Sequence, residues 1–122
     1  MQKLLIVDED RRNLFALTAA LEERHYEVLE AESGETALKI LNANPDIRCV
    51  LIDFMMPGMD GCELMRRIRA RKSSSELPTI AVTAKALPED EQKCREAGCS
   101  AYIAKPINTS LLLDTLQRVI ER

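Results

Sequence analysis

Apolar residues fall along this chain in two rhythms, short continuous runs and longer stretches at helical spacing, and the two alternate five times. Lys3 to Val7 holds four apolar residues in succession, enough for a strand and too few for a helix. The run stops at Asp8-Glu9-Asp10. Arg11 to Arg24 then carries Leu14, Leu17, Ala20 and Leu21 at helical spacing, with Asp10 placed as the N-cap. Tyr26 to Ala31 predicts a second strand. Ser33 caps a second helix that holds Ala37, Leu38, Ile40 and Leu41 and ends near Asn44-Pro45. The stretch Cys49-Val50-Leu51-Ile52-Asp53 predicts a third strand, and its unbroken apolar run marks it as buried on both faces.

The second half continues the pattern. From Gly61 a helix turns Leu64, Met65 and Ile68 inward, and Arg66, Arg67, Arg69, Arg71 and Lys72 read as a solvated outer face. Ser73-Ser74-Ser75 is a loop, and Pro78 leads into a fourth strand, Thr79 to Thr83. Pro88 belongs to the first turn of a short helix that ends at Gly98, a C′ residue. Ser100 to Ala104 predicts the fifth strand, broken by Lys105-Pro106. A last helix from Asn108 turns Leu112, Leu116, Val119 and Ile120 inward. Strands alternating with helices through short loops call for a parallel sheet covered on both faces, joined by right-handed crossovers. The expected fold is α/β and flavodoxin-like, (βα)5, with strand order 2-1-3-4-5. There are no internal repeats or linkers, and residues 1–122 are expected to form one domain.

Composition narrows the function. The 122 residues are 46% hydrophobic and 30% charged, with net charge −3, so the chain is globular and poorly suited to bind nucleic acid directly. Aromatic residues make up only 3%, too few for a base-stacking platform. No apolar run reaches the ~18 residues of a membrane helix, and the first residues do not read as a signal peptide; a cytoplasmic location without membrane insertion is expected. Cys49, Cys62, Cys94 and Cys99 lack metal-site spacing and read as ordinary reduced thiols.

The expected topology gathers chemistry at one edge. The C-terminal ends of strands one, three, four and five carry Asp8 and Glu9, Asp53, Thr83 and Lys105, and ligands bind at that edge of an open α/β sheet. Three carboxylates on neighbouring strands repel by about 4 kcal/mol per close pair at an effective dielectric of 20. Such a cluster asks for a cation, and hard oxygen donors with room for water suit Mg²⁺. Lys105 adds a fixed positive charge and Thr83 a hydroxyl. Those are the groups an arriving phosphoryl needs around a nucleophilic carboxylate, here Asp53. Taken singly, each residue has a plainer reading: Asp53 a turn cap, Thr83 a strand residue, Lys105 a surface cation.

Four stretches, Ile6-Val7-Asp8-Glu9, Asp53-Phe54-Met55-Met56-Pro57-Gly58-Met59-Asp60-Gly61, Val82-Thr83-Ala84 and Tyr102-Ile103-Ala104-Lys105-Pro106, closely resemble the receiver domains of two-component response regulators. The resemblance covers essentially the whole chain. It implies that Asp53 is the phosphoacceptor, taking its phosphoryl group from a phosphohistidine. It further implies that Asp8, Glu9, Asp53 and the backbone carbonyl of Met55 hold Mg²⁺, and that Thr83 and Lys105 bind the phosphoryl oxygens. A cis bond between Lys105 and Pro106 is implied as well, and so is a switch in which Tyr102 turns inward as Thr83 moves onto the phosphoryl group. The family's acidic pair is often two Asp, and Glu9 departs from that. The chain would assist its own phosphorylation and dephosphorylation without being an enzyme toward external substrates.

Two other classes compete. Asp8-Glu9-Asp10 has the Asp-x-Asp spacing of haloacid-dehalogenase-like phosphatases with Asp8 as nucleophile, though the residues that follow do not fit that family and the chain is short for it. A scaffold that keeps the fold and only docks partners is the third. Arg11 to Leu17 and Thr83-Ala84-Lys85-Ala86 resemble the receivers of hybrid sensor kinases, which implies a histidine kinase or histidine-phosphotransfer partner. The first helix, with Leu14 exposed near the active edge, and the loop at Pro106 are the expected docking surface. Leu111 and Leu113 are available for a weak homodimer face.

Overall fold

The structure is a computed structural model that describes residues 1–56, 58–84 and 87–121. Ten elements alternate along the chain: β1 (Lys3–Val7), α1 (Arg11–Glu22), β2 (Glu27–Ala31), α2 (Gly34–Ala43), β3 (Ile47–Asp53), α3 (Gly61–Arg69), β4 (Thr79–Thr83), α4 (Pro88–Ala97), β5 (Ala101–Ala104) and α5 (Thr109–Ile120). The strands form one parallel sheet in the order β2-β1-β3-β4-β5, as the sequence predicts. Pro57, Lys85 and Ala86, quoted in the motifs above, lie outside the described residues.

Side chains alternate across each strand and so build two cores. Leu5, Val7, Val50 and Ile52 pack with Leu64, Met65 and Ile68 of α3 and Ala37 of α2. Leu4, Ile6, Cys49 and Leu51 pack with Leu14 and Leu21 of α1 and Leu112 and Leu116 of α5. That parity positions the site. Ile6 pairs with Leu51 and Val7 with Ile52, so the next residues outward, Asp8 and Asp53, continue the two neighbouring strands on the α1/α5 side.

The helices start where the sequence says they should. The side chains of Asp10, Ser33, Asp60 and Asn108 accept the backbone N–H of Arg12, Thr36, Glu63 and Leu111, respectively, each satisfying a donor left over at a helix start. Two expectations change. β3 begins at Ile47, two residues before Cys49, because exposed Arg48 breaks the apolar run without breaking the strand; its guanidinium reaches the carbonyl of Ile120 at 3.4 Å. Arg69 is not part of the solvated face. It donates to the carbonyls of Gly98 and Leu77, each at 2.8 Å, and to the Thr79 hydroxyl at 3.0 Å, tying the end of α3 to the turn after α4 and the start of β4.

Candidate functional site

Asp8 and Asp53 stand at the ends of β1 and β3 with 4% and 6% of their surface exposed. Burial of a carboxylate costs several kcal/mol unless it is paired and hydrogen-bonded, and both are. Asp8 accepts the backbone N–H of Asp10 at 2.9 Å and the side-chain amide of Asn13 at 3.3 Å. Asp53 accepts the backbone N–H of Met55 at 3.0 Å. Between them lies the ammonium of Lys105, 3.6 Å from Asp8 Oδ2 and 3.4 Å from Asp53 Oδ2. One cation therefore serves two carboxylates, and a negative charge is left over.

The electrostatics follow from that arrangement. Burial raises the Asp8 pKa above the ordinary aspartate value and the Asp53 charge adds to the rise, while the hydrogen bonds from Asp10 and Asn13 and the Lys105 ammonium oppose it. The Lys105 backbone N–H bonds the Thr83 carbonyl at 2.7 Å, which fixes Lys105 beside the end of β4, and the Lys105–Pro106 peptide is cis. Thr83 ends β4 with 2% of its surface exposed. Tyr102 is half-buried on β5, linked by a hydrogen bond to Thr83, and its phenol pKa is raised by burial and then by the nearby Asp90 carboxylate.

Asp8, Asp53 and Lys105 are thus brought together, with Thr83 at the neighbouring strand end. Glu9 is not drawn in: it is exposed, and among the described residues no group of three His, Cys, Asp or Glu side chains is arranged to hold a metal ion. Asp10 caps α1 and does not face Asp8 across a site, which removes the geometry of an Asp-x-Asp phosphatase centre. Leu14, expected to be exposed, is 3% exposed in the core, and Phe15 is the large apolar residue that α1 shows to solvent, at 77%. Sequence reasoning missed Asn13. Its position one turn after the Asp10 cap, facing the strand end, was the available signal.

The family model for the response regulator receiver domain matches residues 4–117. The chain belongs to that family. It is 33% identical to the protein PilH of Pseudomonas aeruginosa over 121 residues, covering 98% of each chain. It is 31% identical to the polar-differentiation response regulator DivK of Brucella ovis over 95% of this chain and 94% of that one. A CheY-like receiver domain protein from Methanospirillum hungatei superposes with TM-score 0.89 at 30% identity, covering 99% of this chain and 94% of that one. Two response regulator/GGDEF domain structures match with TM-scores of 0.93 and 0.94, and this chain spans about half of each. The protein is accordingly a receiver domain of two-component signalling, a phosphoacceptor module with the flavodoxin-like fold of its CheY-like neighbours. The phosphatase reading built on Asp8 finds no support.

Proposed function

We propose that Asp53 is the residue that accepts the phosphoryl group, from a phosphohistidine on a histidine kinase or histidine-phosphotransfer protein. The observation that carries the assignment is the buried pair of carboxylates sharing one ammonium. Of the two, Asp8 is held by two hydrogen bonds and is the fixed partner, and Asp53 lies on the strand between β1 and β4, within reach of groups from both sides. In the transfer an Asp53 oxygen attacks phosphorus, the P–N bond breaks, and its electron pair returns to the imidazole, which takes up a proton.

The donor set fits Mg²⁺: its oxygens are hard, its two buried carboxylates share a single cation, Lys105, and Mg²⁺ is commonly held by one or two carboxylates with water and phosphate completing the shell. Asp8 and Asp53, with the backbone carbonyl of Met55 and exposed Glu9 at the rim, are the groups we assign to it. Mg²⁺ would supply charge neutralisation at the phosphoryl oxygens. Lys105 neutralises a further oxygen, and the Thr83 hydroxyl donates to one. As Thr83 turns to do so its bond with Tyr102 is lost, and Tyr102 repacks inward, biasing the α4–β5 face between two arrangements.

A groove of about 520 Å³ opens beside the site, lined by Asp8, Asn13, Leu17, Lys105, Pro106 and Ile107. With Phe15 on the same helix, it offers the apolar footing on which a helical, histidine-bearing partner would dock. The four thiols are free, consistent with the reducing cytoplasm where we place the domain; we treat residues 1–122 as one receiver unit. The assignment is tested with acetyl phosphate and Mg²⁺. The chain is expected to gain the mass of one phosphoryl group, and Asp53→Asn to gain none. An undiminished adduct on Asp53→Asn would overturn the assignment.

A further inference from the structure

We propose that Cys94 and Cys99 are a redox-active dithiol, in which Cys99 meets hydrogen peroxide and Cys94 resolves the product as an intramolecular disulfide. The pair is made by the way α4 ends. After Ala97 the chain enters the left-handed region at Gly98, φ 107°. The Gly98 N–H then bonds the Arg95 carbonyl at 3.0 Å and the Cys99 N–H bonds the Cys94 carbonyl at 3.1 Å. These two bonds are a Schellman motif, which lays the side chain two places past the cap against the one three places before it, usually as an apolar contact. Here both side chains are thiols, and each acts on the other's pKa, raising that of Cys94 and lowering that of Cys99. Disulfides need Cα atoms roughly 4.4–6.8 Å apart, and the 3.1 Å backbone bond from Cys99 to Cys94 keeps the two residues side by side.

The two sulfurs are unequal in ways that assign their roles. Cys94 is fully buried, whereas Cys99 is half-buried at the start of the turn into β5. Arg69 donates to the Gly98 carbonyl at 2.8 Å, placing a guanidinium beside Cys99, and Arg95 precedes it by one helical turn. Hydrogen bonding from Cys94 and then the Arg95 and Arg69 charges pull the Cys99 pKa down against burial, while the same contact pushes that of Cys94 up. Thiolate character therefore collects on the more accessible sulfur, the condition for peroxide reactivity. Cys49 is the contrast: fully buried, its pKa pushed up to about 12, chiefly by burial.

The chemistry balances with peroxide as the oxidant. The Cys99 thiolate attacks one peroxide oxygen, the O–O bond breaks, and hydroxide leaves to become water with one proton, giving a sulfenic acid. The Cys94 sulfur then attacks the Cys99 sulfur, the S–O bond breaks, and a second water departs with the Cys94 proton. The resulting bond pins the last turn of α4 to the turn that leads into β5, three residues before Tyr102.

The test treats the reduced full chain with hydrogen peroxide, then denatures it and alkylates it with N-ethylmaleimide. Reduced protein takes adducts on all four cysteines. Oxidised protein is expected to lose two of them together with the mass of two hydrogens. Trypsin should then release Cys94-Arg95 joined by a disulfide to the peptide beginning at Glu96. Cys94→Ala is expected to stop at a Cys99 sulfenic acid that dimedone traps, and Cys62→Ala to form the disulfide as wild type does. Should Cys94→Ala not fold, the wild-type peptide map decides the matter alone. Four adducts after peroxide, or a disulfide that uses Cys62 or Cys49, would overturn the proposal.

Discussion

Replacing Lys105 with Met tests whether the shared ammonium is what makes two buried carboxylates tolerable. Its nitrogen lies 3.6 and 3.4 Å from oxygens of Asp8 and Asp53, a gross attraction of about 5 kcal/mol to each at an effective dielectric of 20. Most of that offsets desolvation. Removing one partner of a fully buried pair costs about 3–5 kcal/mol, and with the Lys105 side chain 26% exposed a loss of about 2 kcal/mol near pH 7 is expected. Asp8 already has a raised pKa in the folded chain, from burial first, with Lys105 among the groups opposing the rise. Without Lys105 it rises further. A carboxyl whose folded pKa exceeds its unfolded value of about 4 binds more protons folded than unfolded, so stability falls as pH rises from there through the folded value. Urea unfolding with EDTA present should therefore show the variant's deficit shrinking as the pH is lowered from neutrality toward the ordinary aspartate range. Adding Asp53→Asn should recover about 1 kcal/mol of the deficit, because one of the unpaired charges is gone. A Lys105→Met protein as stable as wild type near neutrality, or a deficit that does not change with pH, would refute the reasoning.

Arg69→Leu should lose about 2–3 kcal/mol in urea unfolding, because the carbonyls of Gly98 and Leu77 and the Thr79 hydroxyl lose their donor where water cannot readily replace it. Gly61→Ala should cost about 1–3 kcal/mol and slow phosphorylation, since a Cβ there would lie 2.7 Å from Phe54 Cα and 2.9 Å from the Asp53 carbonyl oxygen, backbone that carries the acceptor strand; thermal melting and acetyl phosphate kinetics read the two effects. Phe15→Ala should leave stability within about 0.5 kcal/mol, the ring being 77% exposed, and leave labelling by acetyl phosphate unchanged, while phosphotransfer from a histidine-bearing donor protein slows.

The elements and their order were legible because each carries its own local cue, a continuous apolar run, a cap or a glycine stop. The meeting of Asp8, Asp53 and Lys105 was legible because topology converts residues far apart in sequence into neighbours at one sheet edge: Asp8 and Asp53 are adjacent only through the pairing of β1 with β3. Where the reading failed, the chemistry of one residue type admits two environments. Arg69 in a basic run reads as solvated, yet its long stem lets the guanidinium turn back onto carbonyls that no sequence pattern displays. Leu14 belongs to the stripe of Leu14, Leu17, Ala20 and Leu21 that the helical spacing already marks as inward, so its expected exposure went against that spacing, and Phe15, about 100° further around the helix, is the ring left in solvent. The Cys94–Cys99 contact needed the left-handed turn at Gly98 to bring residues five apart together.

Borohydride trapping tests the central claim most directly. An acyl phosphate on an aspartate is reduced to homoserine, so the chain is labelled with acetyl phosphate and Mg²⁺, reduced, digested and sequenced by tandem mass spectrometry. Homoserine at position 53 and unmodified aspartate at position 8 is the predicted result. Homoserine at position 8, or at neither site in protein that has gained the phosphoryl mass, would contradict the account.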